Sequence, residues 1–147
     1  MILKSGKNKG KSTEELVLKQ PDWVQFFLSK NPGSKVGNEL RAHIEFFDQK
    51  SFVKNCFGCK ALATRSTLYA GNAEDAMYWC EECDPYSLGA NQGKLSIVKR
   101  YAEALSFVTA RCKGSRGEKR DVIKQLGKAK GLPARVGKQA AIDFFRE

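Results

Sequence analysis

Two Cys-x-x-Cys pairs constrain the fold of this chain of 147 residues more than any other feature. Cys56 pairs with Cys59 and Cys80 with Cys83, and 20 residues separate the pairs, a spacing typical of tetrahedral zinc sites. Two thiolates three positions apart reach one ion from a tight turn, and two such turns, or knuckles, complete a four-thiolate shell. Because four protein ligands leave no position for water or substrate, we predict a structural zinc ion. Iron, or disulfides between the knuckles, are the alternatives.

The remaining cysteine and the N-terminus indicate the compartment. Five cysteines is an odd number, which argues against a disulfide framework. Cys112 lies on the apolar face of a predicted helix, so we expect a small buried hydrophobe rather than a fifth ligand. The first residues lack a signal-peptide pattern, and no run approaches the roughly 18 apolar residues of a membrane span. We therefore expect a cytoplasmic protein, nucleoid-associated if bacterial or phage, with no membrane partner.

The pattern of elements predicts an α+β fold, in which a small zinc ribbon (a β-hairpin with two cysteine knuckles) is embedded among α-helices. Strands over 64–69 and 76–79 would join the knuckles. Capping residues predict a short helix that starts at Ser12 or Thr13 and runs to Lys19, and a second that runs from Pro21 through Leu28 and is closed by Asn31-Pro32-Gly33. Helical periodicity predicts helices over 35–50 and 91–112, the last being the longest, and two short helices in the tail on either side of Gly131-Leu132-Pro133. An N-terminal Gly/Lys hairpin precedes them all.

We divide the chain into three segments. Residues 1–33 form a hairpin and helix module, residues 34–113 carry a helix, the ribbon and the long helix, and residues 114–147 form a basic helical tail. His43, the single histidine, lies at the edge of an apolar stripe, so we expect a packed or capping histidine. A general base is the alternative, but no serine or cysteine is identifiably paired with it.

Positive charge is concentrated at the two ends of the chain, whose net charge is +10. Residues 1–20 carry five lysines and two glutamates, and residues 111–147 carry eleven basic and four acidic side chains. Residues 21–110 carry ten of each sign. Localised basic charge is the electrostatic footprint of a nucleic-acid binder. A solvated tail that only keeps the protein soluble is the alternative.

Eight basic side chains are the candidates for phosphate contacts. Three are lysines of the Gly/Lys hairpin at the N-terminus, and three recur every four residues along one side of a tail helix. Two more lie near the start of the last helix, where backbone N–H groups favour anions. They are Lys7, Lys9, Lys11, Arg120, Lys124, Lys128, Arg135 and Lys138. On the ribbon, the aromatic residues Tyr69, Tyr78 and Trp79 form a candidate stacking platform. Alternation places Tyr78 and Trp79 on opposite faces, so we expect at least one in the core.

The N-terminal motif resembles a known module. Ser5-Gly6-Lys7-Asn8-Lys9-Gly10-Lys11-Ser12, then Glu14-Glu15 and Pro21-Asp22-Trp23, resemble the small module at the C-terminal end of exodeoxyribonuclease X and in related short bacterial and phage proteins. Ser5 and Asn8 take the places of aromatic residues in that module. The resemblance covers about 30 residues. It implies company with DNA-processing proteins and brings no nuclease active site.

The sequence therefore predicts a binding protein rather than an enzyme. The acidic residues lack the spaced set that holds two magnesium ions in a nuclease. Gly6-x3-Gly10-Lys11-Ser12 has one residue too few between its glycines for a phosphate-binding loop. We expect a zinc-ribbon accessory protein that contacts the phosphates of nucleic acid, DNA rather than RNA, through its basic ends. The alternative is a zinc-stapled adaptor that docks on a replication, repair or transcription enzyme, and a nuclease is third.

Overall fold

Six helices and a three-stranded antiparallel sheet make up the residues that the computed structural model describes, 1–85 and 95–146, so the α+β prediction is confirmed. Their bounds follow in chain order. The elements are α1 (Thr13–Lys19), α2 (Pro21–Lys30), α3 (Lys35–Gln49), β1 (Arg65–Tyr69), β2 (Asn72–Trp79), β3 (Leu95–Val98), α4 (Tyr101–Arg111), α5 (Arg116–Ala129) and α6 (Lys138–Phe144).

The N-terminal hairpin closes directly onto α1. Ile2 and Ser12 form an antiparallel bridge, and Gly6 and Gly10 adopt φ of 83° and 87°, which only glycine reaches at little cost. Ser12 then caps α1, because its hydroxyl accepts a hydrogen bond from the Glu15 N–H while the Glu15 carboxylate accepts from the Ser12 N–H. The loop and the helix therefore form one unit.

Asn8 is the polar exception inside this hairpin. Its side chain is 1% exposed, and neither amide atom has a hydrogen-bond partner within the described structure. A buried polar group left unpaired costs about 1–3 kcal/mol. The hairpin is therefore held by its backbone bonds and by α1 rather than by this side chain.

The sheet contains a strand that the sequence analysis did not predict. Its order is β2-β1-β3, and both neighbours pair with β1 antiparallel. The predicted helix over 91–112 is therefore wrong in its N-terminal half, since Leu95–Val98 is a strand and α4 begins only at Tyr101; residues 91–94 lie outside the described residues. Among the described helices, the 15-residue α3 is the longest.

One hydrophobic core joins the helices to the sheet. Leu16 of α1, Leu40 of α3 and Ile123 of α5 are all at most 1% exposed in it. Tyr101, at the start of α4, crosses this core and donates its hydroxyl to the Val17 carbonyl at 2.7 Å. The core thus draws side chains from all three segments of the chain. We call the knuckles and the three strands the ribbon, and the hairpin with the six helices the helical body.

Lys130 connects two helix ends inside the helical body. It follows α5 and is 1% exposed, and its ammonium donates to the Phe47 carbonyl at 2.6 Å, at the C-terminal end of α3. The same nitrogen lies 4.6 Å from the centre of the Phe47 ring. Burial lowers the pKa of Lys130 to about 8, although Asp48 partly opposes that shift. A cation at a helix C-terminus satisfies carbonyls that the helix itself leaves free.

Within the described ranges, none of the helices is both long enough and apolar enough to cross a bilayer.

Candidate metal centre and basic groove

The four cysteines of the two knuckles converge on one point. Cys56, Cys59, Cys80 and Cys83 offer Sγ atoms that all lie within 4.8 Å of one another, and the Sγ atoms of Cys59 and Cys80 are 3.7 Å apart. A tetrahedron with metal–sulfur bonds of about 2.3 Å has edges of about 3.8 Å. The cluster is therefore positioned to hold a metal ion. Cys112 follows α4 and instead packs, half-buried, against the core.

Backbone donors shape the first knuckle around its sulfurs. The Gly58 N–H points to Cys56 Sγ at 3.2 Å, and the Ala61 N–H points to Cys59 Sγ at 3.4 Å. Such donors stabilise thiolate charge. Gly58 is also required by space, because a Cβ there would lie 2.9 Å from the Cys83 Cβ and 3.1 Å from its Sγ. The two knuckles therefore touch at a position that tolerates no side chain.

The thiol forms of these cysteines differ in acidity. Burial raises the pKa of Cys56, but N–H donors from Cys80 and Gly58 outweigh it and lower the pKa to about 6. Hydrogen bonding to Cys80, Cys59 and Cys56 raises the pKa of Cys83 to about 12. A cation is therefore needed for Cys83 to be a thiolate near neutral pH, and binding one releases its proton.

The second knuckle is tied to the sheet by a buried ion pair. Arg65 at the start of β1 lies 3.4 Å from Asp84, whose side chain is fully buried just after Cys83. The Thr64 N–H donates to the Trp79 carbonyl at 2.9 Å, and the Phe57 N–H to the Tyr78 carbonyl at 2.9 Å. These contacts hold both knuckles at one end of the β1–β2 hairpin, as expected of a ribbon.

A basic groove lies on the helical body. It consists of two pockets that share Lys19 and Arg120: the α2 pocket, of about 600 Å³, and the tail pocket, of about 670 Å³. Two acidic residues, Asp22 and Asp121, also contribute to the lining. The basic side chains that line the groove are Lys7, Lys19, Arg116, Arg120, Lys124 and Arg135.

Ion pairs fix the wall of this groove. Asp22, in the first turn of α2, lies 3.0 Å from the ammonium of Lys119 and 3.7 Å from the guanidinium of Arg116, both on α5. These contacts connect the N-terminal module to the tail. The groove is therefore built from both ends of the chain, with positions set by packed helices rather than by free arms.

The structure brings together half of the eight basic side chains predicted to contact phosphate. Lys7, Arg120, Lys124 and Arg135 line the groove. Four others are exposed but are not among the described residues that line these two pockets. These are Lys9, Lys11, Lys128 and Lys138.

Sequence reasoning missed Lys19, Arg116 and the aromatic pair Trp23 and Phe26, which also line the α2 pocket. Arg116 carried a signal, because it lies one helical repeat before Arg120 in the same four-residue series. Phe26 is 61% exposed, which its place in an aromatic helix did not reveal. Lys19 gave no signal of its own, since only the packing of α1 against α5 places it there.

The ribbon aromatics divide between core and surface. Tyr78 is buried, as expected for one of the two alternating rings, and Tyr69 is 48% exposed. Trp79 is half-buried, and its indole N–H donates to Thr67 Oγ1 at 3.1 Å. Tyr69 therefore remains the accessible ring of this predicted platform.

His43 belongs to a polar network at the N-terminus. Its Nε2 lies 3.0 Å from Thr13 Oγ1, 3.5 Å from Glu14 and 3.4 Å from Glu39. The Met1 ammonium lies 3.5 Å from Glu14 and 3.8 Å from Glu39, so a cation already stands between these carboxylates. Burial lowers the pKa of His43, although both glutamates oppose this. The histidine is half-buried and its ring packs against Phe145, which agrees with the prediction of a packed histidine.

No protein-family model matches the chain, and searches of curated proteins and of solved structures found no significant match. The resemblance to the exodeoxyribonuclease X module stays a prediction.

Proposed function

We propose that this protein is a small nucleic-acid-binding accessory protein, with DNA as its preferred partner and a structural zinc ion in its ribbon. One observation carries the proposal: Lys7 and Arg120, 113 positions apart in the sequence, line one pocket, and Lys124 and Arg135 line the adjoining one. Six basic side chains in one groove give a field that attracts phosphates.

Contacts of this kind give affinity with little sequence preference. Each neutralised phosphate releases a condensed counterion, so affinity falls with salt. If all six groove cations bind phosphates of duplex DNA, the slope of log K against log salt is roughly −5.

In this proposal, zinc has a structural role and does not contact the nucleic acid. Four thiolates suit zinc in a closed tetrahedral shell, which leaves no open coordination position for catalysis. The ribbon strand β2 packs against α5, the helix that carries Arg116, Arg120 and Lys124. The metal thus stabilises the sheet against which the main basic helix rests. We propose a binding role rather than an enzymatic one.

Charge reversal tests the groove. Arg120→Glu and Lys124→Glu are expected to weaken the binding of a labelled DNA duplex by about tenfold or more, measured by fluorescence anisotropy at low salt, because each removes one phosphate contact and adds repulsion. Lys128→Glu is the matched control, since Lys128 is exposed one turn beyond Lys124 on the same helix but does not line either pocket among the described residues.

Three outcomes discriminate among the hypotheses. Equal losses in all three variants would indicate diffuse attraction to α5 instead of a groove. If the protein does not bind DNA at low salt but binds a purified protein partner through Arg120, the adaptor hypothesis is favoured. Cleavage of the DNA in the presence of magnesium or manganese would favour a nuclease.

A further inference from the structure

Phe26 is an exposed aromatic residue in a pocket that four basic side chains also line. Its side chain is 61% exposed on α2, and it lines the α2 pocket with Lys7, Lys19, Arg116 and Arg120. Single exposed apolar residues are ordinary on protein surfaces. An exposed aromatic ring among four cations is a different surface, because it offers a flat π-face beside an attraction for negative charge.

A second ring in the same pocket is held in a fixed position. Trp23 lines the pocket and stacks on Phe27, with ring centroids 5.0 Å apart and planes inclined by 29°. It loses little further freedom when a ligand binds, which preserves affinity. The aromatic wall is therefore partly preorganised.

Charge in the pocket favours an anion. Asp22 is its one acidic lining residue, and that carboxylate is already paired with Arg116 and Lys119. The ten-residue α2 begins at the pocket, and the side chain of its N-cap residue Gln20 makes no capping hydrogen bond. The positive end of the helix dipole adds to the field of Lys7, Lys19 and Arg120.

The size of the pocket limits the occupant. About 600 Å³ is in the range that takes a ligand of small-molecule size. A duplex is too wide to enter, so its phosphates reach these four cations only from outside, where all four are exposed. Its bases are stacked on one another, so their faces are not available to a protein ring. A base in a single strand has free faces that stack on aromatic side chains.

From these observations we propose that the α2 pocket binds an unpaired nucleotide of a single-stranded nucleic acid. Its base stacks on Phe26, beside Trp23, while Lys7 and Arg120 hold the flanking phosphates. The inference rests on the proposed function and specifies its substrate class. An acidic peptide would also satisfy the cations, but its carboxylates leave the Phe26 ring exposed.

The experiment compares oligo(dT) of about 20 nucleotides with a duplex of equal length, by anisotropy at one salt concentration. We expect the single strand to bind more tightly. Phe26→Ala is expected to weaken single-strand binding by roughly 5- to 150-fold, the range for loss of one stacked base, and to leave duplex binding unchanged. Phe26→Leu, which keeps an apolar side chain but has no flat ring, is expected to resemble Phe26→Ala.

Leu62→Ala is the control expected to bind normally, since Leu62 is 55% exposed on the ribbon and does not line the α2 pocket. Tyr69→Ala tests the alternative site, because Tyr69 is the exposed ring of the predicted ribbon platform. A second readout uses Trp79→Phe, which leaves Trp23 as the sole tryptophan of the chain. Oligo(dT) is expected to quench its fluorescence, and the duplex is expected not to.

Several results would overturn the inference. One is equal affinity for single strand and duplex. Another is a loss of single-strand affinity in Tyr69→Ala but not in Phe26→Ala. A third is that poly-glutamate displaces oligo(dT) and that Phe26→Ala weakens the binding of both polymers to the same extent. If duplex binding through Arg120 and Lys124 persists in these cases, the proposed function survives without the nucleotide pocket. If neither nucleic acid binds, both proposals are wrong.

Discussion

The two cysteine knuckles of the ribbon and the helical body are stabilised by different means. The helical body buries apolar side chains from the hairpin onward through α6, with Leu40, Phe47 and Ile123 fully covered. The knuckles bury little: Cys59 is exposed, and Phe57 and Leu62 are more than half exposed. Burial of apolar area stabilises the helical body and the strands packed on it, where Leu68 and Val98 are at most 2% exposed, whereas the knuckles rely on four sulfurs and on backbone bonds. We therefore expect one region of the chain to be sensitive to packing and the other, whose four cysteines are positioned to hold a metal ion, to be sensitive to metal.

Removing the metal gives the largest expected effect. A structural zinc site contributes on the order of 10 kcal/mol to the folding of its own segment, so chelation or Cys80→Ser is expected to unfold the knuckles. The helical body should persist, because its core lies mainly among the helices. Trp79 reports on the ribbon in a Trp23→Phe background, and Trp23 reports on the helical body in a Trp79→Phe background. Metal content of the purified protein identifies the ion.

A simultaneous loss of both tryptophan signals on chelation would show that the two regions do not unfold separately. If the reduced, metal-free protein folds completely, the knuckles do not need a metal ion and the contrast between the two regions is wrong.

A cavity in the helical body should destabilise the helices, in contrast to metal removal, which should unfold the knuckles. Leu40 is 0% exposed, and Leu40→Ala is expected to lower the free energy of unfolding by about 2–5 kcal/mol, because such a cavity relaxes only in part. Urea denaturation followed through Trp23 measures this loss. Leu62→Ala, at a leucine that is 55% exposed on the ribbon, is the control and should change little. An equal loss in both variants would contradict the comparison.

Gly58→Ala tests the contact between the knuckles. The added methyl group would meet the Cys83 Cβ at 2.9 Å, so one knuckle must shift and the sulfurs lose their tetrahedral placement. We expect metal affinity to fall by about 10- to 100-fold, the range for disturbance around a metal's ligands. Competition with a chromophoric chelator measures it. Gly33→Ala, where nothing lies within 4 Å of an added methyl group, should bind metal normally.

Acidification should produce the smallest effect, and its origin lies in the helical body. The pKa of His43 is below 6.5 in the folded chain because of burial, so the unfolded chain binds the proton more readily. The contribution of His43 to the free energy of unfolding is therefore fully present above pH 6.5 and is lost as the pH falls below that value. The pKa of Glu14 is also lowered: burial raises it, but hydrogen bonds and the Met1 and His43 charges outweigh that. The contribution of Glu14 to stability is therefore lost at lower pH than that of His43, and both contributions fall as the pH falls.

Urea denaturation from about pH 7.5 to about pH 5 checks this, followed through Trp23. Subtracting the profile of His43→Gln removes the effect of proton competition at the cysteines, which both proteins share. Identical profiles would show that His43 does not contribute.

Local signals predicted most elements correctly. Ser12 with Glu15 indicated the start of α1, and Pro21 indicated the start of α2. The Cys-x-x-Cys spacing predicted a cluster in which the four sulfurs converge. Each of these signals depends on residues a few positions apart. The third strand did not follow from such signals, because Val98, Tyr101, Leu105 and Val108 keep a helical period across the break before α4. Pairing of β3 with β1 is a tertiary contact that overrides local preference.

The groove shows the same limit at the level of function. Sequence reasoning located charge at both ends of the chain and selected Lys7 and Arg120. It could not place them in one pocket, because the packing of α1 and α2 on α5 and the Asp22 ion pairs bring them together. Lys128 has the same periodicity as Arg120 but does not line the groove in the described structure. Periodicity identifies a helix face, whereas neighbouring helices decide which turns of that face line a cavity.

The placement of Lys130 has a consequence for chemical labelling. Acylating reagents attack neutral amines, and a pKa of about 8 makes this amine more often neutral than an ordinary lysine. Its side chain is nevertheless 1% exposed, so a reagent reaches it only when α3 and α5 separate. Mass spectrometry of acylated protein would then show Lys130 modified slowly while surface lysines react at once, and its rate would time the opening of the helical body without any mutation.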